Sequence, residues 1–222
     1  MEPGHIIQQI IISIIPILMA VILHEVSHGF VASKLGDPTA KMMGRLTLNP
    51  ISHIDPFGTV LMPLLLYVVT NGQFVFGYAK PVPINANNFR NPKRDMAISA
   101  AAGPVTNLIL AALSVILLKH FMVPLSTVIQ SSMVAAIFNP LAMMLRASII
   151  INVVLAVFNM IPIPPLDGGR VLMGMLPYRQ AMTLGRLEPF GFIIIMVLLV
   201  THVADAVIYP VISFVIGLLS LL

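Results

Sequence analysis

The stretch IIISIIPILMAVILHEVSHGF, residues 10–30, joins an apolar run to a cluster of ionisable side chains. The run over 10–23 is almost entirely apolar and, with the residues before it, approaches the roughly 20 residues that a transmembrane helix needs. It closes on His24, Glu25 and His28. Ionisable groups at membrane depth cost at least about 2.5 kcal/mol each on insertion scales, so they indicate function. The alternative is a helix end that emerges at the membrane surface and carries ordinary polar residues there.

The composition of the chain excludes most classes of soluble protein. Of its 222 residues, 58% are hydrophobic and 9% are charged, whereas a soluble domain has about 45–50% apolar and about 25% charged residues. A chain of this length has too much surface to hide so many apolar side chains from water. We therefore expect an integral membrane protein without a nucleic-acid partner. The chain contains no Cys, so any metal must be bound by His, Asp, Glu or backbone oxygen.

Apolar segments recur along the whole chain, separated by short polar stretches. We predict an all-α polytopic membrane protein with five or six transmembrane helices. Residues 1–222 are expected to form one membrane domain, with its core at about 6–175 and additional helices at about 186–222. Of the apolar segments, 57–70 is short for a span, and 121–145 is either an interfacial helix or part of a span. The segments are 6–30, 57–70, 95–118, 121–145, 147–161, 190–200 and 207–222.

The distribution of basic residues predicts a re-entrant segment. Lys and Arg cluster in 34–45, in 80–94 and in 170–186, and the positive-inside rule places all three clusters on the cytosolic side. The first two can share a side only if residues 57–80 enter the membrane and return. Prolines in 74–83 exclude a helix interior there. We therefore predict short re-entrant and extended β segments near the cluster of ionisable residues at 24–28, which itself lies toward the cytosol.

His24, Glu25 and His28 form an HExxH motif. Residues four apart lie on one face of a helix, so both imidazoles can reach a single zinc ion. Glu25 points to the side, where its carboxylate can take a proton from a metal-bound water instead of binding the metal. This arrangement is typical of metalloproteases.

Asp167 is the best candidate for a third ligand. A catalytic zinc site usually has three protein ligands and a water, and this chain has few carboxylates. Asp167 follows an apolar span and the proline-rich stretch 162–165, which cannot continue a helix. Gly168 and Gly169 allow close approach of the backbone. The alternative is that Asp167 caps the short helix that follows it.

These motifs resemble the site-2 protease family of intramembrane zinc metalloproteases. The resemblance rests on His24–His28 and on Asn159–Gly168, which matches the family's Asn-Pro-rich-Leu-Asp-Gly signature. A third element, Ala102–Asn107, is similar to the family's middle motif, in which a Gly is followed four residues later by a small or amide residue. The stretches Arg45–Pro50 and Gly77–Pro83 are similar to the compact prokaryotic branch.

The resemblance implies a set of catalytic roles. Zinc is expected to be bound by His24, His28 and Asp167, one ion per chain, with Glu25 as the general base. The amide of Asn159 is expected to assist catalysis by donating to the developing oxyanion.

The resemblance covers roughly residues 20–175 and also indicates where substrate binds. We expect Gly103 and Asn107 of the middle motif to contribute to substrate binding. The stretch 74–85 is a candidate edge for pairing with an unwound substrate strand. His53 is a further candidate for lining the site, although a turn and cap at the membrane interface would also explain it.

The expected partners are a transmembrane protein substrate and the lipid bilayer, in a multi-pass protein of a prokaryotic plasma membrane. The longest polar stretches have about 20 residues, so we expect no gating domain of PDZ size. Three alternatives remain open from the sequence. They are a membrane metal-ion transporter, an HExxH protease with Glu188 in place of Asp167 as third ligand, and an inactive scaffold.

Overall fold

The computed structural model describes residues 3–69, 71, 77–128, 132–201 and 203–222, and this part of the chain is helical without strands. Short 3₁₀ turns at Pro50–His53 and Ala86–Asn88, and π-helical turns at Pro56–Leu61 and Leu118–Met122, complete the secondary structure. The α-helices are α1 (Pro3–Leu35), α2 (Thr39–Met42), α3 (Met62–Val69), α4 (Pro92–Leu117), α5 (Val123–Val128), α6 (Ser132–Asn159), α7 (Asp167–Met175), α8 (Tyr178–Gly185), α9 (Glu188–Val200) and α10 (Val203–Leu219).

Three long helices, α1, α4 and α6, pack against one another, and α7 packs on α4. Small side chains at their contacts, among them Ala20, Ala100, Ala111 and Ala156, are almost completely buried. In a bilayer, helices associate by close van der Waals packing, which small residues permit. The bundle therefore has a narrow core, and most large apolar side chains face outward, where lipid would surround them.

The number of long spans differs from the prediction. Within the described part of the chain, three helices are long and apolar enough to cross a membrane, and they lie at Ile11–Leu35, Pro92–Leu125 and Ala135–Asn159. A fourth span would result if α8 and α9, which meet at a bend of 66°, are taken as one. The remaining apolar helices, Pro56–Val69 and Ala206–Leu219, are shorter. Five or six spans are therefore not confirmed.

The segment predicted to enter the membrane and return has both of its ends at one place. The Tyr78 N–H donates to the Gly58 carbonyl at 3.0 Å, and the Thr59 hydroxyl donates to the Tyr78 carbonyl at 2.9 Å. The chain therefore leaves along α3 and comes back beside its own starting point. Residues 74–76 of the predicted extended stretch lie outside the described residues. Residues 77–85 are non-helical but form no strand with any described segment, so β segments are not confirmed.

The helix α6 bears on the two alternatives for residues 121–145, an interfacial helix or part of a span. The segments 121–145 and 147–161 stand on either side of Arg146 in the sequence, but α6 runs without a break from Ser132 to Asn159 and makes residues 135–145 part of a span. Arg146 lies on its exposed side, where the long side chain can reach toward water while its stem covers apolar surface. One charged residue does not end a helix whose other face is packed.

Two structural features bring the site together. The helix α1 ends at Leu35 and is followed by Gly36, whose φ of +116° only glycine adopts readily. At the other side, Pro92 is the first residue of α4, a position that suits its fixed φ and missing N–H. As a result α1 and α4 run antiparallel, with the end of α1 beside the beginning of α4.

Candidate metal centre

The two histidines of the HExxH motif lie one turn apart on the face of α1 that meets α4. Their rings are nearly perpendicular, at 86°, with centroids 4.6 Å apart. Asp167 is the first residue of α7, and its Oδ2 lies 3.1 Å from His24 Nε2 and 3.3 Å from His28 Nε2. Among the described residues, these three side chains are the group of His, Asp and Glu whose ligand atoms converge, all within 4.8 Å of one another.

The distances and the chemistry of these atoms fit a zinc ion. Ligands about 2.0–2.1 Å from a tetrahedral zinc are about 3.3 Å from each other, which agrees with the separations of the Asp167 oxygen from the two imidazole nitrogens. This oxygen, Asp167 Oδ2, is buried and has no hydrogen-bond donor among the described residues. A buried carboxylate oxygen without a donor is costly, and a metal cation would satisfy it.

The outer nitrogens of both rings are held by acceptors. His24 Nδ1 lies 2.5 Å from Asn107 Oδ1, and His28 Nδ1 lies 2.8 Å from the carbonyl oxygen of Ser99. Because these oxygens accept and cannot donate, each Nδ1–H is the donor. The proton of each neutral imidazole is therefore on Nδ1, and both Nε2 lone pairs point at Asp167, which is the arrangement of metal-binding histidines.

Asp167 also needs a compensating positive charge. An ionised carboxylate that is buried, as Asp167 is, is costly unless it is paired with a cation. With the proton of each ring on Nδ1, the Nε2 atoms do not supply that charge, whereas a metal ion among the three side chains would.

Gly103 on α4 leaves the space in which these ligands meet. A Cβ at this position would lie 2.4 Å from His28 Nε2 and 2.6 Å from His24 Nε2. No real Cβ atom approaches this closely, so any other residue would push into the region between the two ligand nitrogens. The glycine of the middle motif thus keeps the metal position open.

The structure decides against a capping role for Asp167. The residue before it, Leu166, has the N-cap position of α7, and no side chain caps this helix. The Asp167 carboxylate instead points at the histidines. Gly168 and Gly169 permit this, since a Cβ on either would collide with the backbone of residues 160–164. The Pro164–Pro165 peptide bond in this loop is cis.

Glu25 stands beside the ligand cluster without belonging to it. Its Oε2 accepts a hydrogen bond of 2.8 Å from the Val82 N–H, which ties the carboxylate to the non-helical segment 77–85. Glu188, the alternative third ligand, lies elsewhere, because its Oε1 is 3.6 Å from the Arg170 guanidinium. The converging ligands thus include Asp167 and exclude Glu188.

A cavity of about 380 Å³ opens beside the cluster. Its walls come from α1, segment 77–84, the first half of α4, the end of α6 and the start of α7. Glu25 and Asn159 both line it. The Asn159 side chain donates to the Leu155 carbonyl of its own helix at 3.0 Å, and its second N–H is available to a ligand in the cavity.

The three residues predicted to bind substrate do not line this cavity. Gly103 faces the ligand nitrogens, and Asn107, with 0% of its surface exposed, lies behind His24. His53 is buried in its 3₁₀ turn, where its Nε2 is 2.9 Å from the Thr47 carbonyl and its own carbonyl accepts from the Lys80 N–H. A substrate contact by these residues stays a prediction.

Two backbone groups that contact the site residues were not predicted from the sequence. The Ser99 carbonyl and the Val82 N–H are the partners of His28 and Glu25, and no residue type marks a main-chain contact in advance. Asn152, a fully buried amide on α6 that bonds to Asn107, was also missed. An Asn in the middle of the apolar run 147–161, seven residues before Asn159, was a signal that could have identified it, since polar groups inside membrane helices are usually retained for function.

Comparison with known proteins agrees with this site. The family model of peptidase family M50 matches residues 12–202. The chain is 38% identical over 200 residues to a Bacillus subtilis (strain 168) protein that carries the name of a zinc metalloprotease, YwhC, and the match covers 90% of this chain and 85% of that protein. It is 30% identical over 184 residues to the Mycolicibacterium smegmatis protein Rip2, with 83% of this chain and 64% of that protein covered.

The protein Rip2 of Mycobacterium tuberculosis H37Rv is 26% identical over 181 residues, which cover 82% of this chain and 63% of that protein. No solved structure matches the chain significantly. The chain is thus an α-helical protein with apolar helices of membrane-spanning length and a His-His-Asp centre. It belongs to peptidase family M50, the family of the site-2 proteases.

Proposed function

We propose that this chain is an intramembrane zinc metalloendopeptidase, which cleaves peptide bonds within or next to the transmembrane segments of its substrates. The observation that carries the proposal is the convergence of His24, His28 and Asp167 on one point inside a bundle of apolar helices. Membership of a peptidase family and similarity to proteins named as zinc metalloproteases support it. The alternative of a metal-ion transporter has no comparable support.

The depth of the site supports cleavage inside the membrane. His28 lies seven residues and His24 eleven residues before the end of α1 at Leu35. At a rise of 1.5 Å per residue, this places them about 10 and about 16 Å below the end of the helix. A hydrocarbon core is about 30 Å thick, so the ligands lie within the apolar zone of the spanning segment Ile11–Leu35.

The proposed mechanism divides the chemistry among five side chains and the metal. The Nε2 atoms of His24 and His28 and the Asp167 carboxylate would hold the zinc, which would supply a Lewis acid to lower the pKa of a water molecule and polarise a carbonyl. Glu25 takes the proton from the attacking water and delivers it to the leaving amine. The free N–H of Asn159 donates to the oxygen of the carbonyl under attack.

The cavity calls for a locally unwound substrate. An intact helix keeps its carbonyls hydrogen-bonded within the segment, whereas the site must reach a carbonyl carbon. The non-helical segment 77–84 forms one wall of the cavity, and we propose that an extended substrate lies beside it and bonds to its main chain. Gly103 and Asn107, first expected to touch substrate, are proposed instead to support the ligands. A substrate contact by His53 is not part of this proposal.

The basic residues support an orientation with the site toward the cytosol. Of the 12 Lys and Arg, all except Lys119 and Arg146 lie on segments around the end of α1 and the beginning of α4, including α7 and α8, which leaves ten at this end. Positive residues favour the cytosolic side. Because α10 packs on α6 and α4, we also propose that the C-terminal helices belong to the same domain, in a prokaryotic plasma membrane.

The test is the change Glu25→Gln, with Glu188→Gln as a matched control outside the cavity. The assay uses purified protein and a single-span model substrate that carries Asn-Pro near the middle of its span. We expect the Glu25→Gln protein to keep about one zinc per chain and to lose cleavage, while Glu188→Gln cleaves like wild type. Cleavage at the wild-type rate by Glu25→Gln would refute the assigned role of the carboxylate.

A further inference from the structure

A line of buried hydrogen bonds extends from the metal ligand His24 into the centre of the bundle. Asn107 Nδ2 donates to Asn152 Oδ1 at 2.8 Å and to the Ala20 carbonyl at 3.2 Å. Asn152 Nδ2 donates to both the carbonyl and the hydroxyl of Ser148, at 2.9 and 3.1 Å. The Ser148 and Ser114 hydroxyls are 2.9 Å apart. Together they join α1, α4 and α6 by polar contacts.

The donor and acceptor roles in this line of hydrogen bonds follow from Ser114, the member farthest from His24. The Ser114 hydroxyl donates to the Leu110 carbonyl at 2.8 Å, and a hydroxyl has one proton. Ser114 must therefore accept from Ser148, so the Ser148 oxygen is left to accept from an Asn152 N–H. The orientation of the Asn152 amide is thereby settled, with its oxygen toward Asn107.

The same reasoning carries on to the metal ligand. Since the Asn152 oxygen accepts, Asn107 presents its NH₂ group to Asn152 and to the Ala20 carbonyl. The Asn107 oxygen then faces His24 Nδ1, and that nitrogen must carry the proton. The His24 Nε2 lone pair is consequently free for a metal. All these amide atoms are buried, with 0% of Asn107 and 1% of Asn152 exposed, so water does not compete.

We propose that Asn152 is a positioning residue for the metal centre, which acts through Asn107 to set the tautomer of His24, with Ser148 and Ser114 orienting Asn152. The inference rests on the proposed zinc site and adds to it Asn152 and the two serines that contact Asn152 and each other. Without Asn152, the Asn107 NH₂ group keeps only its longer hydrogen bond, 3.2 Å to the Ala20 carbonyl, so one contact instead of two opposes turning the amide over. Its N–H would then face His24 Nδ1, and the ring proton would move to Nε2, where it blocks the metal.

A purely structural role would be hydrogen bonding between helices, which contributes modestly to the stability of membrane proteins. Loss of such bonding would lower the melting temperature without a change in tautomer. Val153 offers a matched control, because it is the next residue on α6, is fully buried and has no polar group. We expect Val153→Ala to lower the melting temperature and to leave zinc affinity unchanged.

The experiment compares Asn152→Leu, of similar size, and the smaller Asn152→Ala with wild type. Two readouts are used, the ¹⁵N shifts of His24 in the metal-free protein and the zinc affinity in competition with a chelator. We expect the wild-type ring to be protonated at Nδ1, and the variants to show the Nε2 tautomer and about tenfold weaker zinc binding, the lower end of the range for outer partners of metal ligands. In a protein that already carries Asn107→Leu, the Asn152 substitution should cause no further loss of zinc affinity.

The outcomes separate this inference from the proposed function. Variants that keep the Nδ1 tautomer and the wild-type zinc affinity would overturn the positioning role. An effect on zinc affinity that adds fully to that of Asn107→Leu would overturn it as well, since the two residues would then act separately. A wild-type protein that binds no zinc would refute the proposed enzyme, while the tautomer shifts would still decide the role of Asn152.

Discussion

Replacing Gly103 by alanine tests whether α4 is shaped around the metal position. The added methyl group would lie 2.4–2.6 Å from the two ligand nitrogens, whereas ordinary contacts have 3.4 Å or more, so the helices must separate by about 1 Å. Overpacking of this kind costs about 1–3 kcal/mol, which corresponds to roughly a 5- to 150-fold loss of zinc affinity if the ligands take up the shift. The gain in helix propensity of about 1 kcal/mol favours folding and not metal binding.

The assay for Gly103→Ala is zinc affinity by chelator competition, alongside the melting temperature of the metal-free protein. Gly174→Ala is the matched control. Gly174 lies on α7, and an added Cβ would be 2.3 Å from the Cβ of Ala97, which is on α4 but away from the histidines. We expect Gly174→Ala to lower the melting temperature and to keep zinc. If Gly103→Ala binds zinc as tightly as wild type, the space at Gly103 does not serve the metal, and the reasoning fails.

Two further predictions concern catalysis and stability. Asn159→Ala should keep zinc and lower the cleavage rate by about 10²–10³-fold, the usual effect of losing one oxyanion donor, and zinc loss in this variant would contradict the assignment. Burial raises the pKa of the Asp37 carboxyl, but hydrogen bonds from Asn88, Thr39 and the Asn85 N–H outweigh it, so that its pKa is lowered. Asp37 therefore stabilises the fold above the pKa of its unfolded form, near 3.8, and this contribution disappears as the pH falls through the lower folded value. Acid unfolding curves should show this dependence in wild type and lose it in Asp37→Asn, whereas identical curves would contradict it.

The ligand set could be predicted from the sequence because each ligand carries a local signal. His24 and His28 have the spacing of one helical turn, and Asp167 follows a stretch that cannot be helical. The converging geometry confirms that these three come together. The unpartnered Oδ2 of Asp167 and the acceptors of the two histidine Nδ1 atoms could not be predicted from the sequence, because they depend on how α4 and α7 pack against α1.

The number of spans was harder to predict because hydropathy does not reveal where a helix begins and ends. Arg146 seemed to divide two segments but lies on the exposed side of one helix. The segment after Asp55 is apolar, yet it returns to its start through the contact between Gly58 and Tyr78. The position of Asn107 could not be predicted for a related reason. Its motif marks it as important, but only the packing shows that it lies behind His24 and not in the cavity.

The most direct test of the account is the zinc content of the purified protein, wild type beside Asp167→Ala, with Glu188→Ala as the carboxylate control. A His-His-Asp centre predicts about one zinc per chain in wild type and in Glu188→Ala, and a clear loss in Asp167→Ala. Full zinc in Asp167→Ala, or loss of zinc in Glu188→Ala alone, would contradict the assigned ligands and the mechanism built on them.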